Sequence, residues 1–469
     1  MQINRGCIFL LIMFVLGLPA CQLATPLSTP TLNLPAPTVT LNSSGVPACD
    51  YLPGKSQPAQ IPPGSPQPAM SASPAPLTFT QTSQDSATTA NQMLIFNQIV
   101  KDITDHYFSP EYNGVDWNSI QQRYKLLIQN GLSQADFPQA MQQMVSELGD
   151  AESYYVSPAG QPTPTPPPAS HFVGIGASFS TFSENGQDTN VLSWVYSGSP
   201  AEQAGLKNHD ALLKVDGGPF LDENGAPRTR GPEGSSLTIT VQTPGQAPRD
   251  VKMVRRAINL TSVVDYCRVT GTAIGYIRWF DINDTDTVAQ TVEALKKMSV
   301  GSPLQGLIID LRQSSSSSDK DLNNLQSLMG FFTSGNLGSF IAPRGDSTPL
   351  AYTASLSDNS GSQKLLLIVI QDANSDNAPL IAGVLQVKGR ARIVGQIADG
   401  EAYTNFCNDY VDGSTLCIAN EVFQPVGKTP DYWKKTGIVP DVLVNGHWDQ
   451  YSEANDPYLA KAIALLMQK

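Results

Sequence analysis

The stretch LLLIVIQDANSDNAPLIAGVLQ, residues 365–386, decides the reading of the fold. Its opening apolar run is short and unbroken, as in a strand covered on both faces. A polar turn, Asp372 to Asn377, follows. A helix then runs over 378–387, with Pro379 in its first turn, where a missing N–H does no harm. Asp376 or Asn377 suits the cap, because a side-chain oxygen satisfies the first helical N–H groups and a carboxylate suits the positive helix end. In α/β proteins, sites form at the carboxyl ends of parallel strands, so this turn is a candidate site.

The surrounding sequence repeats the pattern. GTAIGYIRW (271–279), LQGLIIDLR (304–312), KLLLIVI (364–370) and ARIVG (391–395) read as strands. Helical spacing is expected over 285–298, 319–332 and 378–387 between them. Apolar strands alternating with helices predict a largely parallel sheet covered on both faces, over 259–469.

Upstream, Phe96, Ile99, Val100, Ile103 and Tyr107 recur at helical spacing. So do Trp117, Ile120, Tyr124, Leu127 and Ile128, then Phe137, Ala140, Met141, Met144 and Leu148. These predict a helical region over 87–159. QPTPTPPPA (161–169) is an extended proline arm within 160–170. Short strand patterns and one small helix near Ala201 make 171–258 a small β-rich domain.

The first residues, MQINRGCIFLLIMFVLGLPAC, join a positive start to an apolar run too short to span a bilayer comfortably. Leu18, Ala20 and Cys21 form a lipobox-like end. Residues 1–20 are expected to be a lipoprotein signal peptide, with Cys21 lipidated and the mature chain exported to the cell envelope. The Pro/Ser/Thr-rich stretch 21–86 cannot bury enough apolar surface to offset its ordering entropy, so it reads as a disordered tether.

The chain has 469 residues and a net charge of −12, which argues against nucleic acid as a partner. Cys407 and Cys417 flank a turn at Asp412-Gly413 and can face each other as a disulfide across a hairpin. Partners for Cys49 and Cys267 stay open. No cysteine spacing resembles a zinc site, and His106, His171, His209 and His447 are scattered; neither a metal nor another cofactor is expected.

The order of these segments resembles the C-terminal processing (tail-specific) serine proteases, from about Met93 onward. The likeness is carried by DITDHY (102–107), LGD (148–150) and SYYVSP (153–158) in the helical region. In the β-rich domain it is carried by GIG (174–176), GSPA (198–201), AGL (204–206), LKVDG (213–217) and RGPEG (230–234). In the last region it is GYIR (275–278), GLIIDLR (306–312), AGVLQ (382–386), GRA (389–391), Val394-Gly395, DGS (412–414) and GIVPD (437–441). The resemblance implies a multidomain α+β protein. Its parts are an N-terminal three-helix region, a PDZ-like β domain and a mostly parallel α/β core of the ClpP/crotonase type.

The resemblance also implies a Ser nucleophile, a Lys general base and an oxyanion-holding glycine. Counting back from Gln386 puts Asp376 at the nucleophile, and counting on from Gly395 puts Glu401 at the base. The oxyanion region holds Gln313 to Ser318, with Ser316 and Ser317 at its centre and no glycine. Asp376 has no hydroxyl, Glu401 carries the wrong charge, and an oxyanion beside two carboxylates is repelled. The expectation is a pseudopeptidase. Ser375, one residue out of register, is the alternative nucleophile. Asp376 and Glu401 as an acid or cation pair, and a purely structural envelope protein, remain the other readings. The PDZ-like resemblance makes Gly174, Ile175, Gly176 and Ala177 a loop that captures a polypeptide C-terminus, the peptide pairing as a strand beside Ser178 to Thr181, so the expected partners are polypeptide C-termini or unstructured protein segments. His209 stands in a turn where the family usually has Gly and reads as structural.

Overall fold

The structure is a computed structural model that describes residues 49, 79, 84–150, 152–158, 171–184, 187–223, 225–259, 263–282, 284, 286–314, 322–342, 350–354, 365–372, 378–398, 400, 402–429, 432–433 and 436–468. They belong to one unit, Thr38–Lys469.

Helix α1 (Ser86–His106) opens earlier than its apolar pattern, because Asp85 caps it. The Asp85 carboxylate accepts the Thr88 N–H at 2.8 Å. Asp116 caps α2 (Trp117–Gln129) in the same way, through Ser119 N–H at 3.0 Å. Helix α3 (Phe137–Ser146) follows with Pro138 in its first turn. The apolar positions read from the spacing, Ile99, Ile103, Ile120, Ile128, Ala140 and Met144 among them, are buried together. Strand β1 (Tyr154–Val156) leaves this region.

The β-rich region comprises β2 (His171–Gly174), β3 (Ala177–Glu184), β4 (Gln187–Val195), the one-turn α4 (Pro200–Gln203), β5 (Ala211–Val215), β6 (Ser236–Gln242), β7 (Arg249–Val254) and β8 (Arg256–Asn259). Strands β3 to β7 form one antiparallel sheet in chain order, and β2 pairs with β8 as a separate ribbon. Ile175, Leu192, Leu212, Val215, Ile239 and Val241 fill the sheet's apolar core.

The remaining chain carries β9 (Val264–Arg268), β10 (Ile274–Trp279), α5 (Asp286–Met298), β11 (Gly306–Asp310), α6 (Leu322–Gly330), β12 (Gly335–Ile341), β13 (Leu350–Ala354), β14 (Leu366–Gln371), α7 (Ala378–Val387), β15 (Ala391–Gly395), β16 (Tyr403–Asp409), β17 (Thr415–Pro425), β18 (Val442–Leu443) and α8 (Pro457–Met467). A six-stranded sheet runs β18-β15-β14-β11-β10-β9, parallel except for β9. Successive strand residues face opposite sides, so Ile277, Leu307, Ile309, Leu367, Val369 and Ile393 join one core with α5, α6 and α7. Ile274, Ile308, Ile368, Ile370 and Val394 join a second core under α8. Burying each such side chain contributes about 1.5–3 kcal/mol.

A second sheet, β1-β17-β12-β13 with β16 on β17, is antiparallel. Leu416, Ile418, Ala419 and Val422 of β17 pack under the N-terminal helices, so those helices rest on this sheet. Among the described residues no helix is long and apolar enough to cross a membrane.

Two disulfides are present. Cys407 and Cys417 are directly paired residues of β16 and β17 and are bonded across that hairpin. Cys49 is bonded to Cys267 of β9, and its N–H donates to the Arg268 carbonyl at 3.2 Å. Composition made Cys49 part of a tether; instead it is buried in the core under α8.

Candidate functional site

Three loops leave the carboxyl ends of neighbouring strands β11, β14 and β15. Register places Asp310 beside Ile370 and Gln371 beside Gly395, so the loops start at one level, about 5 Å apart. These are the segments that sequence assigned to the oxyanion turn, the nucleophile and the base. Asp376, Ser375, Glu401, Ser316 and Ser317 themselves lie outside the described residues, as does Cys21.

The roots of the loops are well defined. After β11, Arg312 is buried between two carboxylates: Nη2 is 2.5 Å from Asp310 Oδ2 and 2.7 Å from Asp456 Oδ2. Burial pushes the Asp310 carboxyl up, but attraction to Arg312 and its hydrogen bonds hold it below its ordinary value. Tyr276 donates its hydroxyl to the same carboxylate at 2.9 Å. Two residues on, Ser314 is buried and donates to the Trp279 carbonyl at 2.6 Å.

Between them Gln313 takes a left-handed backbone, φ 55°. That conformation costs a non-glycine residue roughly 1–2 kcal/mol, and glycine adopts it freely. Its side chain donates Nε2 to Asp372 Oδ2 at 2.9 Å, tying the turn after β11 to the start of the turn after β14. The turn is therefore fixed at three consecutive residues.

Gln371 ends β14 fully buried. Its Nε2 donates to the Gln396 carbonyl at 2.8 Å and the Ile438 carbonyl at 2.9 Å, while Oε1 has no hydrogen-bond partner among the described residues. Gly395 approaches so closely that an added Cβ would collide with the Gln371 carbonyl. Helix α7 begins at Ala378 and is buried through Leu385. Gly383 leaves room for Trp433 and Ile438; a Cβ there would lie 2.8 Å from Ile438 Cδ1. Lys388, the first lysine after the turn, donates to the Asn336 carbonyl at 3.2 Å.

The second candidate set, Gly174 to Ala177, lies where β2 passes to β3. Gly176 has φ 75°, and an added Cβ would strike Ser199. The Ile175 carbonyl accepts the Ala201 N–H at 2.8 Å and the Gly176 carbonyl accepts the Tyr196 N–H at 3.0 Å. The Ile175 and Gly176 N–H groups have no backbone acceptor among the described residues. Arg256 pairs with Gly174 across the β2–β8 ribbon, and Arg230 lies 5.1 Å from the centroid of the Phe172 ring. Strand β3 is the end strand of its sheet.

Sequence reasoning passed over the seam joining these two places. Arg278 Nη2 donates to the Ser193 carbonyl at 2.5 Å, and Trp448 Nε1 donates to the Leu192 carbonyl at 3.0 Å. No local pattern announces such contacts, because the partners are 85 and 256 residues apart. Among the described residues no three His, Cys, Asp or Glu groups converge as metal ligands.

Residues 89–146 match the tricorn protease C1 domain and residues 273–444 match peptidase family S41. The chain is 26% identical over 338 residues to a Staphylococcus aureus (strain N315) protein named "Probable CtpA-like serine protease", covering 70% of this chain and 64% of that one. It is 23% identical over 368 residues to the carboxyl-terminal-processing protease of Synechocystis, covering 76% and 81%. A Bacteroides fragilis structure described as an S41 protease shares the fold at a TM-score of 0.50 and 14% identity, over 79% of this chain and 96% of that one. The chain thus spans 64% of the length of the staphylococcal relative it matches. On the family match, and with its three loops at adjacent strand ends, the region 273–444 is a peptidase family S41 domain.

Proposed function

We propose that this protein is an exported, lipid-anchored S41 homologue that binds polypeptide C-termini and does not cleave them. In this reading Cys21 carries the lipid and the β-rich region is a PDZ-like domain. The observation that carries it is the pair of Ile175 and Gly176 amides, which have no backbone acceptor among the described residues. Both residues are buried, and backbone N–H groups in such places are nearly always paired. A terminal carboxylate supplies the acceptor, with Arg256 and Arg230 adding positive charge nearby. The free edge of β3 then accepts the peptide backbone as an added strand. Ala177 and Phe179 edge the apolar core there, with Phe220 packed 4.9 Å from Phe179.

Silence of the chemistry is supported by the sequence at the three loops. Asp376 offers no hydroxyl and Glu401 no neutral amine. Gln313 stands first in the turn that should present a glycine amide, and its side chain is bonded to Asp372. Losing one oxyanion donor alone typically costs about 10²–10³ in rate. Membership in a peptidase family favours the competing reading, turnover through Ser375.

Fluorescence anisotropy with the full chain tests the binding. Labelled peptides ending in a free carboxylate should bind, and the same peptides with an amidated terminus should bind at least tenfold more weakly. Equal affinity for both forms refutes carboxylate capture.

A further inference from the structure

His209 lies where the β-rich region meets the C-terminal segment, and its surroundings are built around one indole. Its backbone is left-handed, φ 74°, and its side chain is buried. Nδ1 is 2.7 Å from the Trp448 carbonyl oxygen, which can only accept, so Nδ1 carries the proton of a neutral ring. The imidazole stacks on Trp448 with centroids 3.8 Å apart and meets Tyr451 at 4.9 Å. Arg278 and Arg312 hold their guanidinium groups against the same indole, 4.6 and 5.2 Å from its centroid.

We propose that His209 is a pH latch: neutral, it fastens the β-rich region to the parallel-sheet core, and protonated, it lets that region go. A second proton on the ring would make it a third cation beside Trp448. Asp310, the carboxylate whose charge acts on the ring, is already engaged. Asp310 is held by Arg312 and Tyr276, and Asp456 by Arg312. Asp210, on the same turn, is held by Arg249 and Thr243, and Glu453 by Asn208. Lys207 on that turn adds positive charge. Burial lowers the His209 pKa well below its ordinary value; the Trp448 carbonyl opposes this, and Arg312 and Arg278 reinforce it.

The sign follows from linkage. The docked state binds fewer protons than an open state in which the ring titrates near 6.5. Docking is therefore at full strength above about pH 7.5. As pH falls below 6.5, the docked-to-open ratio drops about tenfold per unit until the docked ring itself protonates. The latch also reaches the candidate site. Arg278 Nε donates to the Arg312 carbonyl at 3.4 Å, and the next residue, Gln313, is the one tied to Asp372. Undocking removes the Ser193 anchor of Arg278 and so loosens the turn after β11.

Hydrogen exchange of the full chain from pH 8 to pH 5, corrected for intrinsic rates, tests this. Segments 190–196 and 446–451 should lose about tenfold protection per unit below pH 6.5, while β11 and β14 keep theirs. His209→Asn keeps an N–H for the Trp448 carbonyl and tolerates the left-handed backbone, but cannot titrate; its seam protection should not change with pH. Wild-type seam protection that stays flat overturns the latch, whether or not the variant folds. An Asn variant with the wild-type slope overturns it equally.

Discussion

Arg312→Met isolates the electrostatic support of the candidate site. Arg312 is 2% exposed and serves two buried carboxylates, Asp310 and Asp456, as well as donating to the Tyr451 hydroxyl at 2.9 Å. Breaking one buried pair by removing a partner costs about 3–5 kcal/mol, because a charge is left without compensation. Two such penalties do not add fully here. Asp456 keeps the Tyr458 and Leu459 N–H groups as the cap of α8, at 2.8 and 3.1 Å. Asp310 keeps the Tyr276 hydroxyl and the backbone N–H of residue 312. We therefore expect a loss of about 5 kcal/mol at pH 7, a third or more of the stability of an ordinary domain. Methionine fills similar volume, so a cavity adds little. In the wild type, Asp310 is held below its ordinary pKa, so its contribution is present above about pH 4 and is lost as pH falls through the folded value. In the variant the orphaned carboxyl rises instead, and its penalty fades as pH falls toward 4. Urea unfolding followed by tryptophan fluorescence and far-UV circular dichroism at pH 7 and pH 5 measures both. A deficit under about 1 kcal/mol at pH 7, or one that grows at pH 5, refutes the argument.

Gly176→Ala places a Cβ against Ser199 on a left-handed backbone; it should weaken capture of free C-termini by tenfold or more, read by anisotropy, with helix content unchanged. Replacing Cys49 and Cys267 by serine opens a closure of sequence separation 218, and replacing Cys407 and Cys417 opens one of 10. Chain-entropy scaling makes the first loss about 5 kcal/mol and the second about half that, so thermal melts should fall further for the first pair.

The sequence exposed most where the period was clean. Helix α7 occupies the residues its apolar run and Pro379 indicated, and β15 those of ARIVG. The parallel sheet was legible because its strands are unbroken apolar runs. Strand β12 was not: Gly335 and Gly338 break its alternation, and a bulge falls between Asn336 and Gly338. Helix α8 carried a readable signal, Asp456-Pro457 before Tyr458, Leu459, Ala462, Ile463 and Leu466, that the motif-led reading passed over. The Asp412-Gly413 turn made the Cys407–Cys417 pair readable, whereas Cys49–Cys267 joins places with no local relation. The seam of Arg278, Trp448 and His209 escaped for the same reason: each residue is ordinary alone, and only folding gathers them on one indole. Gln313 was part of an oxyanion turn without glycine, but its bond to Asp372 required the register of β11 against β14.

The central claim is capture without cleavage. Its most direct test follows an unfolded polypeptide such as casein by mass spectrometry over hours, with the full chain and with Ser375→Ala. The account predicts that the substrate stays intact with both proteins. Cleavage by the wild-type chain that Ser375→Ala abolishes would contradict it.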